Sequence, residues 1–229
     1  MDHRTYSGRI DYLTNGADEA GREWFSVTVQ PDGARTLRAI CEMEEPKLMR
    51  DVTYSLDSLW RPQDCFVRLM KGGRFMGSAW FRFTDDAIEC EAVTAEAGRI
   101  SQRISVERRV RIFASHPLIT DGWQTTQFDH ARSDVVQTVR PWAHSSSLPD
   151  GGSGPMAGKG YKIIKYRGEE QITVPAGTFV CRRYDLQSMD PSRPPLEAWV
   201  HGEDHQLIKL HWDLRPADYV LAEWRPVNH

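Results

Sequence analysis

The feature that most constrains this chain is a repeated alternation of apolar and polar side chains with a period of two residues. In one run Phe25, Val27 and Val29 alternate with Ser26 and Thr28, and similar runs lie on both sides of a polar segment in the middle of the chain. Successive side chains of a β-strand point to opposite faces of the sheet, whereas an amphipathic helix would repeat about every 3.6 residues. The sequence therefore predicts an all-β protein.

Turn residues separate the alternating runs at short intervals. PDG at 31–33 predicts a hairpin over about 22–43, while KGG at 71–73 and PAG at 175–177 mark two further hairpins. Many strands with short connections favour an antiparallel sheet that closes or curves strongly, because a flat sheet would leave its edges exposed. We therefore predict a single antiparallel β-barrel or strongly curved sheet of about ten to twelve strands, formed by one domain over residues 1–229.

One polar segment, residues 113–144, interrupts the alternation. It combines a proline, a possible helix start at Thr120 or Asp121, and three of the eight histidines. We predict a short helical insert, with helix confined mainly to about 117–135, that caps one end of the barrel. The residues that follow, 145–160, are rich in Gly, Ser and Pro, which predicts a flexible loop that is either a lid or a simple connection.

Composition and charge narrow the functional classes. A formal net charge of −3 gives no broad attraction for a phosphate backbone, so we expect no nucleic-acid partner. The chain has neither a signal-peptide pattern nor an apolar run of about 18 residues, so we expect a cytoplasmic protein without a membrane span. The four cysteines lie singly within strand-like runs and are expected to be buried thiols. A homodimer is left open.

The run RGEEQITVPAGTFVCRRYDL is followed by a proline-containing turn and the aromatic strand LEAWV. This part of the chain resembles the DUF3108 family of bacterial proteins of unknown function, and the likeness rests on VPAGTF at 174–179. The resemblance implies a strongly curved antiparallel sheet or barrel, akin to lipocalin-like and lipoprotein-carrier folds, with an apolar interior. VPAGTF is a hairpin signature, so no catalytic residue is carried over from the family.

Ionisable groups that point into an apolar barrel can form a reaction site, because burial and neighbouring charges tune their pKa values. His116, Asp121 and His130 are the candidate catalytic residues, since a histidine beside a carboxylate can act as a general base near neutral pH. Each has a structural alternative, such as a helix cap for Asp121 or a solvated helix end for His130. The candidate ligand-binding residues come from the insert and from neighbouring strands: Tyr54, Trp80, Trp123, Arg140, Trp142, Trp199 and His201.

A second histidine-rich run, AWVHGEDHQLIKLHWD, lacks the helical spacing of zinc-binding histidine motifs, so we expect no metal. GxGxxG, P-loop and GxSxG motifs are absent, so we expect no cofactor and no α/β-hydrolase mechanism. Two functions remain: binding of a small apolar or aromatic molecule in the barrel cavity, and a cofactor-independent lyase or isomerase that uses a His–Asp pair. They differ in the ionisable groups that face the cavity, since a carrier needs few and an enzyme needs at least one in the correct place.

Overall fold

The computed structural model describes residues 3–14, 18–148, 151–214 and 217–226. Within these ranges the chain forms fifteen strands and one short α-helix. The first eight strands are β1 (Arg4–Thr14), β2 (Asp18–Val29), β3 (Arg35–Met43), β4 (Leu48–Leu56), β5 (Pro62–Lys71), β6 (Arg74–Phe83), β7 (Ala87–Thr94) and β8 (Gly98–Ser105). The other seven are β9 (Ile112–Ala114), β10 (Gln137–His144), β11 (Gly158–Val174), β12 (Gly177–Gln187), β13 (Leu196–His201), β14 (Gln206–Trp212) and β15 (Ala217–Arg225).

All fifteen strands belong to one strongly curved sheet with the order β8-β7-β6-β5-β4-β3-β2-β1-β15-β14-β13-β12-β11-β10-β9. Neighbours are antiparallel except for the parallel pair β9 and β10, and the pairing of β1 with β15 joins the two ends of the chain. No ladder in the described ranges pairs β8 with β9, so the sheet is unclosed. Side chains bridge this gap: Gln102 of β8 accepts a hydrogen bond from the Ala157 amide at 2.9 Å, and the Lys159 ammonium donates to the Ser105 carbonyl at 2.8 Å.

The predicted all-β class, the hairpin over 22–43 and the confinement of helix to 117–135 are confirmed. The predicted ten to twelve strands are too few, because the insert contributes β9 and β10 in addition to eight strands before it and five strands after it. These strands show little alternation: β9 has three residues, and β10 contains Pro141 where its register with β11 shifts. No helix in the described part of the chain is long and apolar enough to cross a membrane.

On each strand, the apolar side chains lie mainly on the inner face of the curved sheet. Phe25, Val27 and Val29 of β2 are buried in register with Ala39, Leu37 and Arg35 of β3, as their alternation predicts. Besides Arg35, three charged side chains occupy inward-facing positions, and a buried charge is rare unless it has a specific partner or role. These are Glu23 of β2, Arg50 of β4 and Lys162 of β11, which are 0%, 2% and 4% exposed.

The insert between β9 and β10 contains α1 (Ile119–Gln124) and two 3-10 helices, Thr125–Gln127 and His130–Arg132. Glu23 holds the start of α1, because the amides of Leu118 and Ile119 donate to its two carboxylate oxygens at 2.5 and 3.0 Å. Gly122 lets α1 approach β14 closely, since a Cβ at this position would lie 2.5 Å from the His205 carbonyl oxygen. The helix is therefore fixed to the sheet from both sides.

The segment predicted as a flexible loop, 145–160, divides into three parts. Residues 158–160 are the first residues of β11, so that part of the loop assignment is wrong. Ser145 and Gly151 are buried, and the Gly151 carbonyl accepts a hydrogen bond from the Arg50 guanidinium. Residues 149 and 150 lie outside the described residues.

Candidate functional site

A cavity of about 320 Å³ lies between the inner face of the sheet and the insert. This volume is in the range of small-molecule sites. The apolar and aromatic part of its wall comprises Tyr12, Met43, Leu48, Leu118, Trp142, Leu148, Leu186, Met189, Leu196, Leu210, Trp212 and Tyr219. Five of its charged and polar side chains form what we call the polar cluster: Arg50, His116, Asp121, Gln124 and Lys162. The wall also contains Asp190 and Arg193, which form an ion pair at 3.0 Å.

Lys162 reaches the cavity because it shares the inward phase of β11 with buried Ile164. Its ammonium nitrogen lies 5.4 Å from the centre of the Trp142 ring, a cation–π arrangement. Burial lowers the pKa of Lys162, while the charge of Asp121 acts in the opposite direction. The cavity wall therefore contains a desolvated cation that lies over an aromatic ring and is attracted by a carboxylate.

Asp121 lies in the first turn of α1 and lines the same cavity. Burial raises its pKa to about 6, although Lys162 and a hydrogen bond from Gln124 favour the charged form. The Gln124 amide nitrogen donates to the Asp121 carboxylate at 2.5 Å, and the Gln124 carbonyl oxygen is buried without a partner among the described residues. Asp121 is thus a cavity carboxyl group with a pKa of about 6, and it lies beside the unpartnered carbonyl oxygen of Gln124.

His116 has a strained backbone, with φ of +79°, in a region that residues other than glycine rarely adopt. Its Nε2 atom is buried and has no partner among the described residues. Burial holds the pKa of His116 well below its usual value, and the positive charges of Arg50 and Lys162 and the neighbouring His144 act in the same direction. His116 therefore presents a neutral imidazole to the cavity.

Arg50 joins β4 to the two segments that close the cavity. Its guanidinium donates to the Ser115 carbonyl at 3.3 Å and to the Gly151 carbonyl. Gly151 has φ of +68°, and a Cβ at this position would lie 2.9 Å from the His116 ring. Arg50 thus fixes the backbone on which His116 is displayed.

Glu23 lies behind the cavity wall, next to the two wall residues Tyr12 and Cys41. The Tyr12 hydroxyl and the Cys41 thiol lie 3.4 and 3.5 Å from a Glu23 carboxylate oxygen. Burial raises the pKa of Glu23 to about 7, against the effect of the two amides at the start of α1. The fold therefore contains a second inward carboxyl group with a pKa near neutrality.

His144 and Trp142 form the wall on β10. The His144 Nδ1–H donates to the Ser146 carbonyl at 2.7 Å, because a carbonyl oxygen can only accept, and burial lowers the pKa of His144. The two rings lie 5.1 Å apart. The indole Nε1 of Trp142 is a buried donor without a partner in the described ranges.

Three of the ten residues predicted from the sequence line this cavity: His116, Asp121 and Trp142. Tyr54 and Trp123 lie in the core next to it, with ring centres 6.2 Å apart. Both contribute to packing rather than to the cavity wall.

The structure places the other five predicted residues away from the cavity. Trp80 alternates with the buried Ala79 and Phe81, so it lies on the outer face and is 42% exposed. Arg140 stacks on the Tyr161 ring at 4.4 Å. The remaining positions are His130, Trp199 and His201, none of which lines the cavity.

The outward orientation of Trp199 and His201 follows from the alternation of side chains along β13. Ala198 and Val200 fill the inward phase of β13, so Trp199 and His201 point outward, where the Trp199 indole donates to Glu170 at 2.6 Å. His130 is exposed, and its Nε2 lies 2.8 Å from the Tyr184 hydroxyl. The structure therefore does not bring all ten predicted residues together at one cavity.

Sequence reasoning missed Arg50, Gln124, His144, Lys162 and the supporting Glu23. Three of them carry a signal in the strand pattern, because a charged residue occupies a position where its own strand is otherwise apolar. Arg50, for example, falls in phase with Leu48, Val52 and Tyr54. Among the described residues, no group of three or more His, Cys, Asp or Glu side chains is arranged to hold a metal ion.

Comparison with known proteins identifies a fold. No protein-family model and no curated protein matches the chain, so membership of DUF3108 is not shown. The chain is similar to the crystal structure of a β-barrel-like protein of the domain of unknown function DUF1849 from Brucella abortus, with a TM-score of 0.59 and 8% identity over 99% of this chain and 98% of that one. A putative lipoprotein from Parabacteroides distasonis also matches, with a TM-score of 0.33 and 10% identity over 98% and 96% of the two chains. The first likeness shows a β-barrel-like architecture.

Proposed function

We propose that this protein binds a small apolar or aromatic molecule in its cavity. The observation that carries this proposal is the cavity of about 320 Å³ with a mainly aliphatic and aromatic wall. A ligand that removes such a wall from water gains about 25 cal/mol for each Å² of apolar surface that it covers. The DUF3108-like VPAGTF hairpin supports the same function, since that resemblance implies an apolar interior.

Acid–base catalysis as a lyase or isomerase is the second candidate, and the observation that favours it is Asp121, a cavity carboxyl group with a pKa raised to about 6. The catalytic candidate is not supported by a His–Asp pair at the cavity. Within the described ranges, Asp121 is bonded to Gln124 and His116 has no carboxylate partner. His211, which does meet Asp218 at 2.9 Å, alternates with cavity-lining Leu210 and Trp212 and so faces outward. The geometry supports binding better than catalysis.

The binding proposal is tested with N-phenyl-1-naphthylamine, an uncharged aromatic dye whose fluorescence rises in apolar surroundings. Wild-type protein is expected to bind one dye molecule saturably. Leu196→Trp narrows the cavity at a half-buried wall position and is expected to weaken binding by about tenfold or more, since each tenfold change requires only about 1.4 kcal/mol. Leu59→Trp is the matched control, because Leu59 is 63% exposed and lies outside the cavity wall.

Two results would contradict the proposal. Equal affinity of the two variants for the dye would mean that the dye binds outside the cavity. The exposed pair Phe66 and Trp80 on the outer face would then be the next candidate site. Absence of saturable binding by the wild type would remove the support for a binding function. Circular dichroism of Leu196→Trp checks that its sheet is retained.

A further inference from the structure

Lys162 differs from the other lysines of its strand in its surroundings. Lys165 on the same strand is exposed, whereas Lys162 is 4% exposed and lines the cavity. An ammonium group has three hydrogen-bond donors and no acceptor. In the described part of the chain no hydrogen bond satisfies these donors, and the contacts of Lys162 are the Trp142 ring and the attraction of Asp121. Its donors therefore remain available to a group inside the cavity.

A second unused donor lies beside this ammonium. The Trp142 Nε1–H is buried without a partner in the described ranges, and the Lys162 nitrogen lies 5.4 Å from the centre of the same indole. Two nearby donors match a ligand group with two acceptor oxygens. A carboxylate has this geometry, and hydrogen bonds to a charged group are the strongest available to such donors.

The charges around the cavity also favour an anion. Asp190 and Arg193 pair with each other at 3.0 Å. Arg50 and Lys162 are buried cations of the cavity wall, whereas the Asp121 carboxyl group lines the wall and Glu23 is a buried carboxyl group behind it. Burial shifts the pKa of both carboxyl groups upward, toward the neutral form, whereas a guanidinium stays charged in proteins. Each carboxyl group that takes up a proton leaves an excess of positive charge at the cavity wall.

From this placement we infer that the ligand is an apolar molecule with one carboxylate, and that Lys162 and the Trp142 indole hold the carboxylate while the aliphatic wall holds the apolar part. This inference rests on the proposed binding function and specifies the class of ligand. A phosphate ester is a poorer match, because phosphate sites commonly use arginine forks or successive backbone amides. Of the two arginines that line the cavity, Arg50 donates to the Ser115 and Gly151 carbonyls and Arg193 pairs with Asp190 at 3.0 Å.

The inference is tested by competition of decanoate and decan-1-ol against bound N-phenyl-1-naphthylamine. The two competitors have the same apolar chain and differ in charge. Wild-type protein is expected to bind decanoate about tenfold to a hundredfold more tightly than decan-1-ol, the range expected of a charge-assisted hydrogen bond. Decylammonium is expected to compete more weakly than decan-1-ol, because Lys162 repels it.

Lys162→Met removes the charge and keeps an unbranched apolar side chain. It is expected to lower the affinity for decanoate by about tenfold to a hundredfold without lowering the affinity for decan-1-ol. Lys165→Met is the matched control on the same strand and is expected to leave both affinities unchanged. If Lys162→Met does not fold, the order of the three competitors on wild-type protein still decides the question.

The possible failures are distinguishable. Wild-type protein that binds decanoate and decan-1-ol with equal affinity would overturn the carboxylate inference and leave the binding function in place. A selective loss of decanoate affinity in Lys165→Met but not in Lys162→Met would also overturn it. If none of the competitors displaces the dye and the dye itself does not bind, the proposed function fails.

Discussion

The insert displays two histidines in opposite environments. His130 is exposed outside the cavity, where its Nε2 lies 2.8 Å from the Tyr184 hydroxyl and its ring packs 5.3 Å from Tyr166. His116 lies at the cavity, where its Nε2 is buried and has no partner among the described residues. The exposed histidine thus has both a partner for its Nε2 and access to water, whereas the Nε2 of the cavity histidine has neither within the described part of the chain.

This difference indicates where function is expected in the fold. A buried polar group without a partner costs about 1–3 kcal/mol, and strained backbone costs about the same. His116 carries both features, and the buried Lys162 ammonium lies on the same cavity. Native proteins keep such costs mainly where a site uses the groups, so the polar cluster is a better candidate than the aromatic surroundings of His130.

The largest expected effect on stability comes from Arg50→Met. The substitution leaves the Ser115 and Gly151 carbonyls without their donor and releases both segments from β4. We expect a loss of about 4 kcal/mol in the free energy of unfolding, measured by urea denaturation. Arg38→Met is the control on the exposed face of β3 and is expected to change stability by less than about 0.5 kcal/mol. Similar small losses for both variants would mean that Arg50 does not anchor the cavity.

The pH dependence of stability tests Glu23. Its pKa is about 7 in the folded protein and 4.5 for an ordinary Glu, so folding favours the protonated form. This contribution is fully present below pH 4.5 and is lost as the pH rises toward about 7, a change of roughly 3 kcal/mol. Asp121, raised to about 6, acts in the same direction.

Glu23→Gln is expected to flatten this part of the stability profile, because the variant has no proton to lose at residue 23. The control is Glu44→Gln, on an exposed turn residue. Denaturation at several pH values between 4.5 and 7 gives the comparison. A profile of Glu23→Gln that keeps the full wild-type slope would show that Glu23 does not titrate as a buried group.

The strained backbone of His116 predicts a smaller change in stability, in which glycine is more stable than alanine at this position. Glycine is normally less stable than alanine in a strand or helix, yet at φ of +79° only glycine avoids the steric strain. His116→Gly is therefore expected to be about 1 kcal/mol more stable than His116→Ala. Thermal denaturation of the two variants measures the difference, and greater stability of the alanine variant would contradict the strained geometry.

The smallest expected effect is that of His130→Ala. His130 itself is exposed and its hydrogen bond with Tyr184 is only partly buried, so we expect a loss of about 1 kcal/mol. Dye affinity at the cavity is expected to stay at the wild-type value. A tenfold loss of affinity in His130→Ala would remove the distinction between the inner and outer regions.

The same two regions show what the sequence could and could not predict. The alternation around Phe25, Val27 and Val29 was sufficient for the all-β class and the hairpin over 22–43, because local side-chain period determines strand faces. Residues two positions apart in a strand, such as Trp199 and His201, share a face, but only the direction in which the sheet curves makes that face the outer one. The site brings together Arg50 and Lys162 from strands that are far apart in the sequence, and a local sequence pattern cannot predict that they line one cavity.

Fluorine NMR of protein labelled with 5-fluorotryptophan tests the central claim most directly, because the tryptophans report on both regions at once. Trp142 and Trp212 line the cavity, whereas Trp24 and Trp80 lie exposed on the outer face. With signals assigned by single Trp→Phe variants, titration with N-phenyl-1-naphthylamine is expected to shift the resonances of Trp142 and Trp212 and to leave those of Trp24 and Trp80 in place. Shifts confined to Trp24 or Trp80 would contradict binding in the cavity.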